Sequence, residues 1–351
     1  MIKDSEIILR VKDLKVEFDT YGGVVKAVRG VSFQVKRGKT LAIVGESGCG
    51  KSVSVQSLMG LISTPPGRVV GGSAQFEGRE ILGLKTSELN RIRGKEIAFI
   101  FQDPMSSLNP TMTVGRQIAE TLRAHKNMSF EQGRTRAIEL LSMVHIPEAS
   151  KRVDHYPFQF SGGMRQRVMI AMAIACDPKI LIADEPTTAL DVTIQAQILG
   201  LIKEIQVKNN MSLILITHDL GVVAKMADDV AVMYAGQIIE FGTAEDIFFR
   251  PSHPYTIGLQ NALPGITRSR KKLEPIEGHP PDLFNPPVGC GYYARCPHAM
   301  QICETHKPSK FTSGGLHFAK CWLHHPGAPK LSESQFESEK SSLLFGMEAE
   351  A

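Results

Sequence analysis

The sequence lacks any apolar stretch long enough to cross a bilayer. The longest run, VMIAMAIAC at 168–176, falls far short of the roughly 20 residues a spanning helix needs. The opening MIKDSEIILR carries charges where a signal peptide has its apolar core, so membrane association is expected only through a partner. Strong charge of either sign is also missing. A net charge of +4 and a pI near 8.6 suit an anionic ligand such as a nucleotide and are too weak for a nucleic-acid groove. There is no heptad run and no internal repeat, which excludes a long coiled coil and a repeat array. Cysteine is scarce but uneven. Cys49 and Cys176 stand alone, while Cys290, Cys296, Cys303 and Cys321 crowd into 32 residues. In a reducing compartment such crowding reads as metal ligation before disulfides.

What is present reads as a globular α/β chain. Apolar content of 42% and 351 residues suffice for one large domain or two. IILRVKDLKVEF at 7–18 and VSFQV at 31–35 read as strands of an antiparallel flank. LAIVG, IAFIF, ILIA and LILIT are short apolar strands without a polar face, separated by stretches of helical spacing. That alternation predicts a parallel sheet covered on both sides. Residues 103–176 read as a helical subdomain inserted into it. Prolines in PSHPY, EGHPP and FNPP predict a linker or loop-built extension beyond about 251. The expected division is one large α/β domain over 1–262, a Pro/Cys-rich C-terminal extension over 263–326, and a disordered Ser- and Glu-rich tail over 327–351.

The chemistry is carried by short motifs. GESGCGKS at 45–52 matches G-x-x-x-x-G-K-[ST]: Gly45, Ser47, Gly48, Cys49 and Gly50 form a loop whose N–H groups can turn toward phosphate. Lys51 reaches the terminal phosphates and the Ser52 hydroxyl ligates Mg²⁺. ILIADE ends a strand in Asp184, a Mg²⁺ ligand through water, and Glu185, a general base for the attacking water. His218, at the end of LILITHD, can hydrogen-bond the γ-phosphate, and the side-chain oxygen of Gln102 can reach Mg²⁺. FSGGMRQR at 160–167 offers a second anion cradle, with Ser161 as helix cap and Gly162 and Gly163 exposing N–H groups. Taken singly, each of these last features is as well explained by an ordinary strand end or helix start.

Their order changes the balance. GESGCGKS, the glutamine of FQDP, FSGGMRQR, ILIADE, TTALD at 187–191 and THD form an ordered set that resembles the ATPase subunit of ATP-binding-cassette (ABC) proteins over residues 7 to about 250. The resemblance implies a P-loop NTPase-type α/β fold: a mixed sheet with an antiparallel flank and a helical insert. It maps ATP contacts onto Gly45 to Ser52, Gln102, Ser161 to Gln166, Asp184, Glu185, Asp191 and His218. Phe18 is the expected adenine-stacking aromatic, with Tyr21 as rival. It also implies why one chain carries two phosphate cradles: the signature loop covers the γ-phosphate held by a second chain, so ATP is sandwiched in a dimer.

FQDPMSSLNP, MIAMAIACDPKILIADEPTTALDVTIQAQIL, MYAGQIIEFG and SHPYTIGLQNALP resemble the dipeptide/oligopeptide (and nickel) importer ATPases, D-type chain. This implies a heterodimer with an F-type paralogous ATPase, two transmembrane permease subunits and, indirectly, an extracytoplasmic peptide-binding protein. The place implied is the cytoplasmic face of the cell membrane, with no nucleic acid involved. Nickel chelates and glutathione are alternative cargoes, and a soluble cassette ATPase acting on nucleic acid is the rival class. The pattern Cys290-x5-Cys296-x6-Cys303-x17-Cys321 has wider gaps than the C-x₂₋₄-C pairs of zinc sites. It resembles extensions of D-type chains that carry a [4Fe–4S] centre. Zinc is the alternative, with His298, His306, His317, His324 and His325 nearby.

Overall fold

The structure, a computed structural model, describes residues 6–103, 107–188, 190–262 and 275–329. In chain order the strands begin with β1 (Ile7–Thr20), β2 (Gly23–Lys36), β3 (Thr40–Val44) and β4 (Gly67–Phe76). They continue with β5 (Arg79–Glu80), β6 (Ile97–Ile100), β7 (Ile180–Asp184) and β8 (Ser212–Ile216). The last four are β9 (Asp229–Tyr234), β10 (Gln237–Thr243), β11 (Phe311–Gly314) and β12 (His317–Ala319). The chain divides into two compact units, one built from residues 1–9, 34–40 and 75–216, the other from 10–33, 41–74 and 217–351.

In the first unit β6, β7 and β8 run parallel, with Ile97 opposite Ile180 and Leu181 opposite Leu213. Every residue of β7 and β8 is buried, as unbroken apolar strands require when both sheet faces are covered. Between β6 and β7 lie the helices Val114–Lys126, Phe130–Met143, Ala149–Arg152 and Gly162–Ile174. The second of these starts at a reciprocal cap: Gln132 N–H donates to Ser129 Oγ at 3.2 Å, and Ser129 N–H donates to Gln132 Oε1 at 2.9 Å. Gly133 lets that helix approach its neighbour so closely that a Cβ there would stand 2.9 Å from the Ala119 methyl.

In the second unit β1 and β2 are joined by the two-residue turn Tyr21–Gly22, which forces them antiparallel, and β4 flanks β1. β3 pairs parallel with β9, β9 turns back antiparallel into β10, and β12 continues antiparallel on β10. The sheet is therefore mixed.

One expectation is corrected here. Residues 275–300 contain no strand or α-helix, but further on β12 pairs with β10, with Glu240 opposite Ala319 and Phe241 opposite Phe318, whose rings stack at 5.9 Å. The stretch directly after 251 is not a linker. Pro254 opens the helix Pro254–Asn261, where its missing N–H removes no bond, and His253 caps it. Tyr255 of that helix is fully buried against Tyr234 and Tyr292, so aromatic burial overrides the proline signal. Residues 263–274 and 330–351, and with them most of the expected tail, lie outside the described residues.

Burial in this unit is unusually polar. Glu240 is completely buried and accepts from Ser252 N–H at 2.6 Å and His253 N–H at 2.9 Å, with His317 Nε2 at 2.9 Å. Such a carboxylate persists in a core only because its oxygens are occupied. His253 Nδ1 accepts from Tyr255 N–H at 3.1 Å, and burial pulls its pKa down to about 3.

An imidazole that titrates near 6.5 unfolded but about 3 folded keeps its contribution in full above pH 6.5 and loses it as pH falls toward 3. Between pH 7 and pH 5 this one group should cost about 2 kcal/mol. Urea unfolding at the two pH values should show that much more acid sensitivity in the wild type than in His253→Asn, which retains a helix cap. Equal slopes would refute the assignment.

Candidate functional site

In the second unit the wholly buried β3 delivers the chain into residues 45–50. Gly45 (φ 149°), Gly48 (φ 77°) and Gly50 (φ 95°) all adopt positive φ. A Cβ on Gly45 would collide with the Met233 carbonyl oxygen, and one on Gly50 with that of Ala27. Glycine is required there twice over, by dihedral and by close backbone approach. The loop wraps Lys51, which is 6% exposed; its Nζ donates to the carbonyls of Gly45 at 2.8 Å and Glu46 at 2.9 Å. An ammonium held by two carbonyls inside a glycine loop is placed to trade them for phosphate oxygens. Ser52 lies in the first turn of the helix Lys51–Leu58. Cys49 is buried, and that burial raises its thiol pKa, so it packs as a neutral group. Ser47 is exposed on the loop.

His218, also exposed, is pinned between two anchors. Thr217 N–H donates to Ile43 O, and the Asp219 carboxylate accepts from Gly221 and Val222 N–H to cap the helix Leu220–Met226. Phe18 is half-buried, and its ring packs beside Gly67; Tyr21 is fully exposed at the β1–β2 turn. Of the two aromatics only Phe18 is held in place.

Sequence reasoning missed the group that grips Glu46. Its N–H donates to Tyr255 Oη at 2.9 Å, and its carboxylate pairs with Arg295 at 2.9 Å. Burial works against the charge on Arg295, but hydrogen bonds to Glu46 and Tyr234 raise its pKa on balance. No local pattern announces a partner 249 residues away.

In the first unit β7 ends at Asp184, 3% exposed, and Glu185 follows at φ 47° with its N–H donating to Ile216 O at 2.9 Å. That left-handed conformation is costly for a residue with a Cβ and turns the Glu185 side chain out of strand register. Its Oε2 accepts from Gln102 Nε2 at 3.1 Å and from Thr188 Oγ1 at 2.9 Å. Donation through the amide nitrogen keeps the Gln102 oxygen as the atom a cation would use. Thr188 was readable only as part of TTALD.

Ser161 Oγ accepts from Met164 N–H at 3.4 Å and caps the helix Gly162–Ile174; Asp191 accepts from Ile194 N–H at 3.0 Å and caps Val192–Lys208. The two helices meet where Gly163 faces Ile194. Gln166 is 1% exposed, and its Nε2 has no hydrogen-bond partner.

The four clustered cysteines share the second unit. Cys303 and Cys321 are buried, Cys290 and Cys296 half-buried, none forms a disulfide, and Cys290 N–H donates to Cys303 O at 2.7 Å. Burial, reinforced by Cys290, Cys296 and Cys303, pushes the Cys321 thiol up to about 12. Among the described residues, however, no group of three or more His, Cys, Asp or Glu side chains is arranged to hold a metal ion. The expected [4Fe–4S] ligand set is thus not assembled among the described residues. Nor is a mixed zinc site, since His317 is engaged with Glu240 and His324 with the Ser252 carbonyl at 2.6 Å.

The two signature glycines differ in space. A Cβ at Gly163 would stand 2.7 Å from Ile194 Cγ2, whereas at Gly162 the nearest atom, on Leu190, is 3.9 Å away. Gly163→Ala should lose about 1–3 kcal/mol of stability by overpacking, and Gly162→Ala should stay within about 0.5 kcal/mol of wild type in chemical unfolding.

Comparison with known proteins gives a consistent picture. The family model "ABC transporter" matches residues 28–188, and "Oligopeptide/dipeptide transporter, C-terminal region" matches residues 239–303. The chain is 56% identical over 338 residues to the oligopeptide transport ATP-binding protein OppD of Bacillus subtilis, covering 96% of this chain and 94% of that one. It is 55% identical over 318 residues to the dipeptide transport ATP-binding protein DppD of the same organism, covering 91% and 95%. With Escherichia coli OppD the identity is 53% over 315 residues, covering 90% and 93%. Among solved structures, a dimeric ATP-binding cassette in a post-hydrolysis state bound to ADP and Pi matches with a TM-score of 0.60 at 28% identity, covering 67% of this chain and 98% of that one.

Proposed function

The chain belongs to the ABC transporter ATPases, among the oligopeptide and dipeptide transport ATP-binding proteins, and from that premise we propose that it is the ATP-hydrolysing, energy-coupling subunit of a peptide importer. The observation that carries the reading is Lys51, wrapped by the glycine loop and held by the Gly45 and Glu46 carbonyls. The loop N–H groups and Lys51 bind the ATP phosphates, and Phe18 stacks on adenine. Ser52, Gln102 and Asp184 each offer an oxygen donor of the kind that suits Mg²⁺, which would screen phosphate charge when bound. Glu185 takes a proton from the attacking water as its oxygen bonds to the γ-phosphorus and the bond to the bridging oxygen breaks, releasing ADP and phosphate. His218 hydrogen-bonds the γ-phosphate.

Two chains share each nucleotide in this reading. Ser161, Gly162 and Gly163 of one chain close over ATP held by the other, with the buried Gln166 behind them and Asp191 at the edge, and closure is favoured only while the γ-phosphate bridges them. The dimeric form of the solved cassette supports the arrangement. The natural partner is an F-type paralogue, with two permease subunits receiving the stroke and a peptide-binding protein delivering cargo from outside. No helix among the described residues is long and apolar enough to span a bilayer, so contact with the membrane goes through the permease at the cytoplasmic face. The permease groove lies around Gln102 and the helical insert, including parts of residues 103–126. Nearby in sequence, Tyr156 and Phe158 stack at 5.7 Å while 39% and 67% exposed, an apolar pair without a protein cover. Dipeptides or oligopeptides are the cargo best supported by the relatives' names, ahead of nickel chelates and glutathione.

A [4Fe–4S] centre on Cys290, Cys296, Cys303 and Cys321 completes the proposal. It rests on their number and shared unit, with ligand geometry forming as the cluster binds and the thiols deprotonate. Anaerobically purified protein should be brown and contain iron; a colourless, iron-free protein would end this part.

Glu185→Gln keeps an acceptor for Gln102 and Thr188 and removes only the base. ATP binding should survive, turnover should fall by roughly 10²–10⁴, and an ATP-dependent dimer with the partner should accumulate in light scattering. Turnover at the wild-type rate would sink the assignment of Glu185.

A further inference from the structure

The C-terminal segment reaches into the phosphate loop. Arg295 ends the short turn Tyr293–Arg295 and is 7% exposed; all its contacts are made inside the second unit. One guanidinium nitrogen donates to Glu46 Oε2 at 2.9 Å and to Tyr234 Oη at 3.1 Å; the others donate to the carbonyls of Glu277 at 2.8 Å and Ile276 at 3.3 Å. The guanidinium is also 5.8 Å from the centre of the Tyr234 ring. With every nitrogen engaged, this is a strut with one orientation.

What it holds is chemically awkward. Glu46 directly follows Gly45 in a loop built for polyphosphate, so its carboxylate opposes a ligand carrying several negative charges. The Glu46 side chain is 24% exposed, which leaves its charge incompletely screened by water. Glu46 also lends its carbonyl to Lys51, and Tyr255 Oη fixes its N–H. Moving Glu46 therefore moves the lysine that meets the phosphates.

We infer that Arg295 is a positioning residue for nucleotide binding: it neutralises Glu46 and fixes the phosphate loop, which makes the C-terminal segment a working part of the ATP site. The inference rests on the ATPase reading above and goes beyond it. A cassette trimmed of this segment keeps its glycine loop but carries an unpaired carboxylate within it.

The test is ATP titration by calorimetry on the full chain with its partner, at low and high salt. Arg295→Ala should weaken ATP binding roughly tenfold at low ionic strength, with a smaller deficit at high salt, because the repulsion it unmasks is screened. Arg295→Ala combined with Glu46→Gln should return to within about threefold of Glu46→Gln alone, since the offending charge is then gone. A merely structural arginine would also be rescued in stability by removing the charge it pairs, but its loss would not give a binding deficit that shrinks with salt. If Arg295→Ala does not fold, Arg295→Lys and Arg295→Gln carry the comparison, with affinity retained by lysine and lost by glutamine. Wild-type affinity in Arg295→Ala or Arg295→Gln, or a double variant as weak as Arg295→Ala, overturns the inference. Wild-type protein that binds no ATP overturns the ATPase reading instead.

Discussion

The carbonyl oxygen of Met233 occupies the space that any side chain at Gly45 would enter, and that exclusion governs the chemistry of the second unit. It compels glycine at the first loop position. Glycine permits the turn, and the turn places the carbonyls of Gly45 and Glu46 around the Lys51 ammonium. In the proposed reading, nucleotide binding exchanges these carbonyls for phosphate oxygens around a charge already fixed in position. Little needs to reorganise when ligand arrives, which is how a preorganised site gains its strength.

The first unit solves a different problem with a different expense. There the chain accepts a left-handed Glu185, a conformation that costs of order 1–3 kcal/mol for a residue with a side chain, and holds it with Gln102 and Thr188. Turned out of strand register and tied from two sides, the proposed general base has its direction set before substrate binds. The helix caps Ser161 and Asp191 belong to the same economy. Each satisfies one orphan N–H at the start of its own helix.

In the second unit, polar burial and function are joined. Glu240, His253 and His317 lie in the core with their hydrogen bonds arranged around the turn that opens the helix of Tyr255. Tyr255 carries the Glu46 N–H, and Tyr234 shares Arg295. The C-terminal segment thus takes part in one continuous hydrogen-bonded structure with the phosphate loop. Its four cysteines lie in the same unit, Cys296 being the immediate neighbour of Arg295.

Short-range chemistry was legible from the residues alone. The glycine loop, the apolar strands β3, β7 and β8, the cap at Ser161, and the acidic strand end at Asp184 all depend on neighbours a few positions away, so their spacing carries the information. Proline misled at 251–261 because at the first turn of a helix it breaks nothing, and only the packing of Tyr255 distinguishes that case from a linker. Cysteine spacing suggested a ligand set, but distances between thiols depend on how their turns fold, and these do not converge on a metal geometry. The pairing of β12 with β10, the bond from Gln102 to Glu185 and the grip of Arg295 on Glu46 are contacts between residues far apart in the chain. One-dimensional order thus determined which chemical groups this protein has, because motifs are local. Which of them touch was decided only by the tertiary fold, because contacts at long sequence separation follow from packing that no local pattern encodes.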